Sequence, residues 1–174
     1  MRATPAVLAM LGAALLAGCV PMTVQHDYDP DVDFSRYHSF TWMPVAENAE
    51  TARTNLSGPF VDKRVKKALV EALAAKGYGK VDDGADFLVA YHLSYKRRTD
   101  VSAVRYGYWG PSYPVDVNQY KEGTLVLDLV DPQTQQLIWR GWSISALQPG
   151  ADPREEQESI DMAVREILKR FPPY

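Results

Sequence analysis

Residues 86–96 carry the most regular polar and apolar alternation in the chain. Phe87, Val89, Tyr91, Leu93 and Tyr95 fall on one side, and Leu88, Ala90, His92 and Ser94 on the other. A period of two predicts a strand with one well-buried face. Residues 124–130 and 137–146 predict two more strands, and the short turn Asp131-Pro132-Gln133-Thr134 between them implies an antiparallel pair. Trp139 and Trp142 are three positions apart, so they lie on opposite faces, one in the core and the other exposed or under a helix.

Two segments have the helical period instead. Pro59 opens the first, where its fixed φ suits the initial turn. Val61, Val65, Ala68, Leu69, Ala72 and Leu73 form its apolar stripe, and Gly77 supplies a left-handed stop. The second covers about residues 154–170, with Ile160, Ala163, Val164, Ile167, Leu168 and Phe171 as its stripe. Glu155, Glu156 and Glu158 sit early and Lys169 and Arg170 late, as the helix dipole favours, and Pro172-Pro173 ends it. Residues 23–26 and Ser39-Phe40-Thr41-Trp42 supply strands before the first helix, and the polar residues 46–57 a loop. Strand, strand, helix, three strands, helix is not the strict alternation of a doubly wound sheet. The pattern predicts an α+β fold: an antiparallel sheet of about five strands with two helices packed on one face, a two-layer sandwich.

The strongest apolar run lies outside this domain. Residues 6–17 follow a single charge, Arg2, and end in Leu16-Ala17-Gly18-Cys19. A basic start, a short apolar stretch and a small-residue exit predict a secretory signal. The run is shorter than the about 20 residues that a membrane span needs. Leu-Ala-Gly-Cys resembles the bacterial lipoprotein box. That resemblance implies cleavage after Gly18, thioether lipidation of Cys19 and N-acylation of the new terminus. Val20, where Asp would retain the protein in the inner membrane, implies the periplasmic face of the outer membrane. Each buried methylene contributes about 0.8 kcal/mol, so three acyl chains would hold the protein permanently. The expected organisation is a cleaved signal, 1–18, and one α+β domain, 19–174, anchored through Cys19.

Removing residues 1–18 from the 174 leaves 156, enough for one domain with its own core. Cys19 is the only cysteine, so no disulfide staples the fold. The removed segment carries Arg2 and no acid, which leaves 18 Lys and Arg against 22 Asp and Glu. This mild acidity argues against nucleic acid as a partner.

Asp27, Asp29, Asp31 and Asp33 alternate in a way that suggests calcium. An EF-hand loop, however, needs glycine at its sixth position and glutamate at its twelfth, and counting from Asp27 those positions hold Val32 and His38. The aspartates read instead as turn caps that bond nearby backbone amides. Lys63, Arg64, Lys66 and Lys67 crowd the first turns of the first helix, where the dipole disfavours cations. They read as a solvated face offset by Asp62 and Glu71; the competing reading is contact with anionic lipid headgroups.

Asp27-Tyr28-Asp29-Pro30, Asp33-Phe34-Ser35-Arg36-Tyr37 and Phe40-Thr41-Trp42 form one recognisable block. Gly123-Thr124-Leu125-Val126-Leu127-Asp128, Leu137-Ile138-Trp139-Arg140-Gly141 and Phe171-Pro172-Pro173 form others. Together they resemble the bacterial lipoprotein domains of the domain of unknown function 4136 family over nearly the whole mature chain. The resemblance implies anchor and fold and transfers no catalytic residue.

The motifs point to no cofactor and no metal. His26, His38 and His92 form no pair at ligand spacing, and there is no nucleophile elbow. The most distinctive remaining stretch is 106–114, in which Tyr106, Tyr108, Trp109 and Tyr113 stand among glycines and prolines, beside Lys96, Arg97, Arg98 and Arg105. Aromatic-rich loops supply stiff, amphipathic contact area. Two readings stay open: a surface for another envelope protein or a glycan, and a lid over the open sheet face. The expected function is a non-enzymatic binding or structural module of the cell envelope, with the membrane as a partner through the lipid anchor. The alternative is a periplasmic hydrolase acting on envelope glycan or lipid.

Overall fold

The computed structural model describes residues 22–44, 58–102, 116–147 and 152–173. Its elements are β1 (Met22–Tyr28), a single 3-10 turn (Phe34–Arg36), β2 (Ser39–Trp42), α1 (Pro59–Ala74), β3 (Gly79–Lys80), β4 (Phe87–Ser102), β5 (Asp116–Val130), β6 (Leu137–Leu147) and α2 (Pro153–Leu168). The strands form one sheet in the order β1-β6-β5-β4-β2-β3.

The α+β class is as the periodicity predicts, but the sheet is mixed and has six strands. Along β1-β6-β5-β4 each strand is antiparallel to its neighbour, whereas β2 runs parallel to both β4 and β3. The physical reason lies in the connections. The six-residue connection between β5 and β6 simply reverses the chain. The 16-residue helix α1 carries it back to its starting end, so β2 runs parallel to β3 and β4, the two strands that follow the helix directly. β3, two residues long, is too short to leave a periodic signature.

β4 and β5 also run further than expected, with paired residues from Leu88↔Val130 out to Ser102↔Asp116. Asp86 fixes the start of the parallel pairing. Its carboxylate accepts the backbone N–H groups of His38 and Ser39, at 2.9 and 2.8 Å, and the Ser39 hydroxyl at 2.7 Å. These bonds, that from the His38 amide foremost, hold its pKa below the usual carboxylate value.

Both helices cover the face of β4 that carries Tyr91 and Tyr95: Tyr91 donates to Asp62 of α1, and Tyr95 to Glu156 of α2. Leu93, Leu125, Leu127 and Leu129 point into this layer from β4 and β5. They meet Val65, Leu69 and Leu73 from α1 and Ile160, Val164, Ile167 and Leu168 from α2. Gly77, at φ +91°, stops α1 as expected. α2 begins at a capping box in which Asp152 accepts the Arg154 amide at 2.7 Å and Glu155 accepts the Asp152 amide at 3.2 Å.

Of the two tryptophans, Trp139 is fully buried and Trp142, on the other face, is half-buried. Trp139 packs against Phe171 at 5.3 Å between ring centroids. It lies directly over Gly141. A Cβ at that position would stand 2.3 Å from the Trp139 Cη2 and 2.5 Å from the Ile167 Cγ2. The indole and α2 therefore occupy the space that any side chain at 141 needs. Gly141→Ala is expected to cost about 1–3 kcal/mol or more through overpacking. A urea titration checks it: the midpoint should fall while the slope stays the same. An unchanged midpoint would show that the indole and Ile167 can move aside freely.

Candidate functional site

The acidic segment resolves into turn caps. Asp29 accepts the Asp31 amide at 2.9 Å, and Asp33 accepts the amide and hydroxyl of Ser35 at 3.1 and 2.6 Å. The Ser35 bonds, the hydroxyl's first, lower the pKa of Asp33. Among the described residues no group of three or more His, Cys, Asp or Glu side chains is placed to hold a metal ion. The three histidines lie apart. His26 stacks on Tyr28 at 6.2 Å, His38 precedes β2, and His92 is exposed on β4. Among the described residues no hydrogen bond joins a serine hydroxyl to a histidine.

Periodicity does not reveal a set of polar cross-braces between the helix starts and the sheet. Arg64 on α1 bonds Glu156 on α2 at 2.5 Å, and Glu156 also accepts the Tyr95 hydroxyl at 3.5 Å. Two residues earlier on α1, Asp62 accepts the Tyr91 hydroxyl and pairs with Lys66 at 3.0 Å. Lys66 in turn lies 6.0 Å from the centre of the Trp42 ring, and Lys67 pairs with Glu71 at 3.8 Å. Asp62 and Glu71 thus offset their neighbours as the sequence suggests, and Glu156 supplies the unexpected third partner. Among the described residues no acid is paired with Lys63.

Three shallow depressions could receive a ligand. One, of about 480 Å³, is lined by Asp27, Asp29, Arg140 and Trp142, among others. Here Arg140 is held from one side by two bonds to Asp128, at 2.6 and 2.7 Å, which raise its pKa. A groove of about 340 Å³ runs between the helices over Ala68, Ala72, Ala75 and Leu168, with Glu71, Lys76, Asp161, Arg165 and Lys169 around it. A third, of about 210 Å³, lies beside Tyr37, His38, Lys76 and Tyr78. Burial raises the pKa of both tyrosines there. A smaller void of about 30 Å³ under α2, lined by Tyr95, Ser143, Ser145, Glu156 and Ser159, has room for a water molecule.

The residues singled out from the sequence fall elsewhere. Cys19, Tyr106, Tyr108, Trp109 and Tyr113 lie outside the described residues. The structure does show what leads to the aromatic segment: the paired strands β4 and β5, from Lys96↔Glu122 to Ser102↔Asp116. They continue beyond the level at which Tyr95 meets the first turn of α2. The braces had one signal in the sequence, the cations in the first turns of α1, whose partners lie 92 residues away in the case of Arg64.

Half-buried tyrosines make the braces sensitive to alkali. Burial first, and Glu156 second, push the Tyr95 pKa up from 10.0 to about 12. Burial and Asp62 raise that of Tyr91 in the same direction. The unfolded chain therefore loses these phenol protons first as the pH rises. Their stabilising contribution is complete below pH 10.0 and is lost progressively toward about 12. Urea midpoints measured across that window should fall less steeply for the double variant Tyr91→Phe, Tyr95→Phe than for the unaltered protein. Equal slopes would mean that both phenols ionise as freely in the folded state as in the unfolded one.

The family profile described as domain of unknown function (DUF4136) matches residues 24–173, and the chain belongs to that family. No curated protein matches it. Among solved structures, a PDZ domain protein from Parabacteroides distasonis is similar at 12% identity with a TM-score of 0.56. The likeness covers 88% of this chain and 36% of that protein. The PelC dodecamer from Paraburkholderia phytofirmans is similar at 11% identity with a TM-score of 0.50, over 85% of this chain and 95% of that one. At such identities the likeness is one of fold.

Proposed function

We propose that this member of the DUF4136 family is a lipid-anchored, non-enzymatic binding module of the bacterial envelope, held through Cys19 on the periplasmic face of the outer membrane. The observation that carries the reading is Leu16-Ala17-Gly18-Cys19 at the end of the apolar run. Only a cysteine offers the sulfur that a lipid-transferring enzyme alkylates. The geometry of β1 supports it: the strand begins at Met22, three residues after Cys19, so the domain hangs on a tether of about 10 Å.

The polar groups described above support the non-enzymatic part. Asp62, Arg64, Tyr91, Tyr95 and Glu156 tie helices to sheet, and Asp29, Asp33 and Asp86 hold turns and strand starts. Each is engaged in holding the fold. The binding part rests on Tyr106, Tyr108, Trp109 and Tyr113, carried at the end of the long β4–β5 hairpin. Stiff aromatic side chains on such an arm suit recognition of another envelope component.

Two experiments test the two parts. Cys19→Ser should move the protein from the membrane fraction into the soluble periplasm; retention in the membrane would remove the anchor. A photoreactive residue at position 108 should give a discrete adduct in living cells. If there is no adduct and Tyr108→Ala lowers the melting temperature, the segment is a lid on the domain and contacts no partner.

A further inference from the structure

The domain has a definable membrane end, and the sheet register locates it. Met22 lies opposite Ser145, Ser145 opposite Gly123, and Gly123 opposite Tyr95, so the first described residue belongs to one row across four strands. Tyr95 meets Glu156, in the first turn of α2, and Glu156 meets Arg64 of α1. The start of β1 and the starts of both helices are therefore at the same end of the domain.

Phe60 lies four residues before Arg64, one helical turn of about 5.4 Å further toward that end. It is 75% exposed, far more than any other large apolar side chain described. Lys63, in the same first turns, is the one α1 cation for which no acidic partner is found among the described residues. A cation there is disfavoured by the helix dipole, and an anionic neighbour would offset this.

We infer that this end rests on an anionic phospholipid surface, with Phe60 inserted at the interface and Lys63 against the headgroup phosphates. The inference depends on the Cys19 anchor proposed above. Three residues of tether span about 10 Å at most, and strands β1 to β4 cover about 14 Å laterally. Phe60 is thus within reach of any bilayer that holds Cys19. An aromatic ring prefers the interface to water, and a lysine at that depth is drawn to anionic lipid.

The chain offers a clean probe, because lipidation consumes its only cysteine. Lipidated Phe60→Cys protein, labelled with an environment-sensitive nitrobenzoxadiazole dye, would be reconstituted into vesicles of phosphatidylethanolamine and phosphatidylglycerol. The control carries the label at Gln133→Cys, in the exposed β5–β6 turn at the opposite end. The dye at position 60 should brighten severalfold, shift to the blue and be quenched by lipids bearing a spin label near the headgroup, whereas the control should do none of these. Replacing phosphatidylglycerol by phosphatidylcholine should weaken the signal at 60. Vesicles that float with the protein while both dyes report water would overturn the inference and leave the anchor standing. Protein that does not float with the vesicles would overturn both. A signal at 60 that ignores lipid charge would remove Lys63 from the contact.

Discussion

The seat of Trp139 on Gly141 is the contact on which the helix–sheet packing depends. An indole lying flat over a strand needs a neighbour without a side chain, and Gly141 provides it at a point where a Cβ would be 2.3 Å from the ring. Ile167 closes over the same spot from α2. Beyond the end of that helix, Phe171 joins the stack and brings four other rings together: Trp139 at 5.3 Å, Tyr78 at 5.2 Å, Phe34 at 5.8 Å and Phe87 at 6.0 Å. These rings come from the segment after β1, the loop after α1, β4, β6 and the C-terminal residues. One aromatic cluster therefore ties together parts of the chain that are far apart in sequence. The indole Nε1 has no hydrogen-bond partner there. Leaving such a donor unmade costs about 1–3 kcal/mol, so the packing of the ring outweighs the loss of its polar bond.

The opposite end is held by different physics. Where β4 meets the starts of the helices, the contacts are hydroxyl to carboxylate and guanidinium to carboxylate, at Tyr91–Asp62 and Tyr95–Glu156–Arg64. Half-buried pairs of this kind contribute less than the ring cluster, because solvent screens them and side-chain entropy opposes them. They do fix direction. Each tyrosine reaches one acid, so the register of each helix on the sheet is set by a specific bond and not by apolar area alone. An apolar cluster at one end and directional bonds at the other leave the domain firm at its centre and polar where the proposed anchor begins.

This division explains what was legible in the sequence. Apolar periodicity reports burial on one face. It therefore revealed both helices, the inner parts of β4, β5 and β6, and the opposite placement of Trp139 and Trp142. It did not reveal residues 97–102 and 116–121, whose sequences, Arg-Arg-Thr-Asp-Val-Ser and Asp-Val-Asn-Gln-Tyr-Lys, are mostly polar. In this stretch the hairpin has passed the starts of the helices, and no apolar alternation marks it as strand. The parallel placement of β2 was also hidden, since alternation gives the faces of a strand but not its direction. The braces were hidden for a third reason: Arg64 and Glu156 are 92 residues apart, and neither position says that the other exists.

Family membership, for the same physical reason, comes with a fold and without a chemistry. The blocks that carry the resemblance meet in the core. Phe34 comes from the first, Leu125 and Leu127 from the second, Trp139 and Gly141 from the third, and Phe171 from the last. Their residue types answer to packing: a ring where a ring is met, a glycine where an indole lies, alternating leucines under two helices. A motif built this way identifies relatives by how they hold together. What a member recognises has to be written in residues that packing leaves free, and among the described residues of this chain those are the exposed end of α1 and the open sheet face around Trp142.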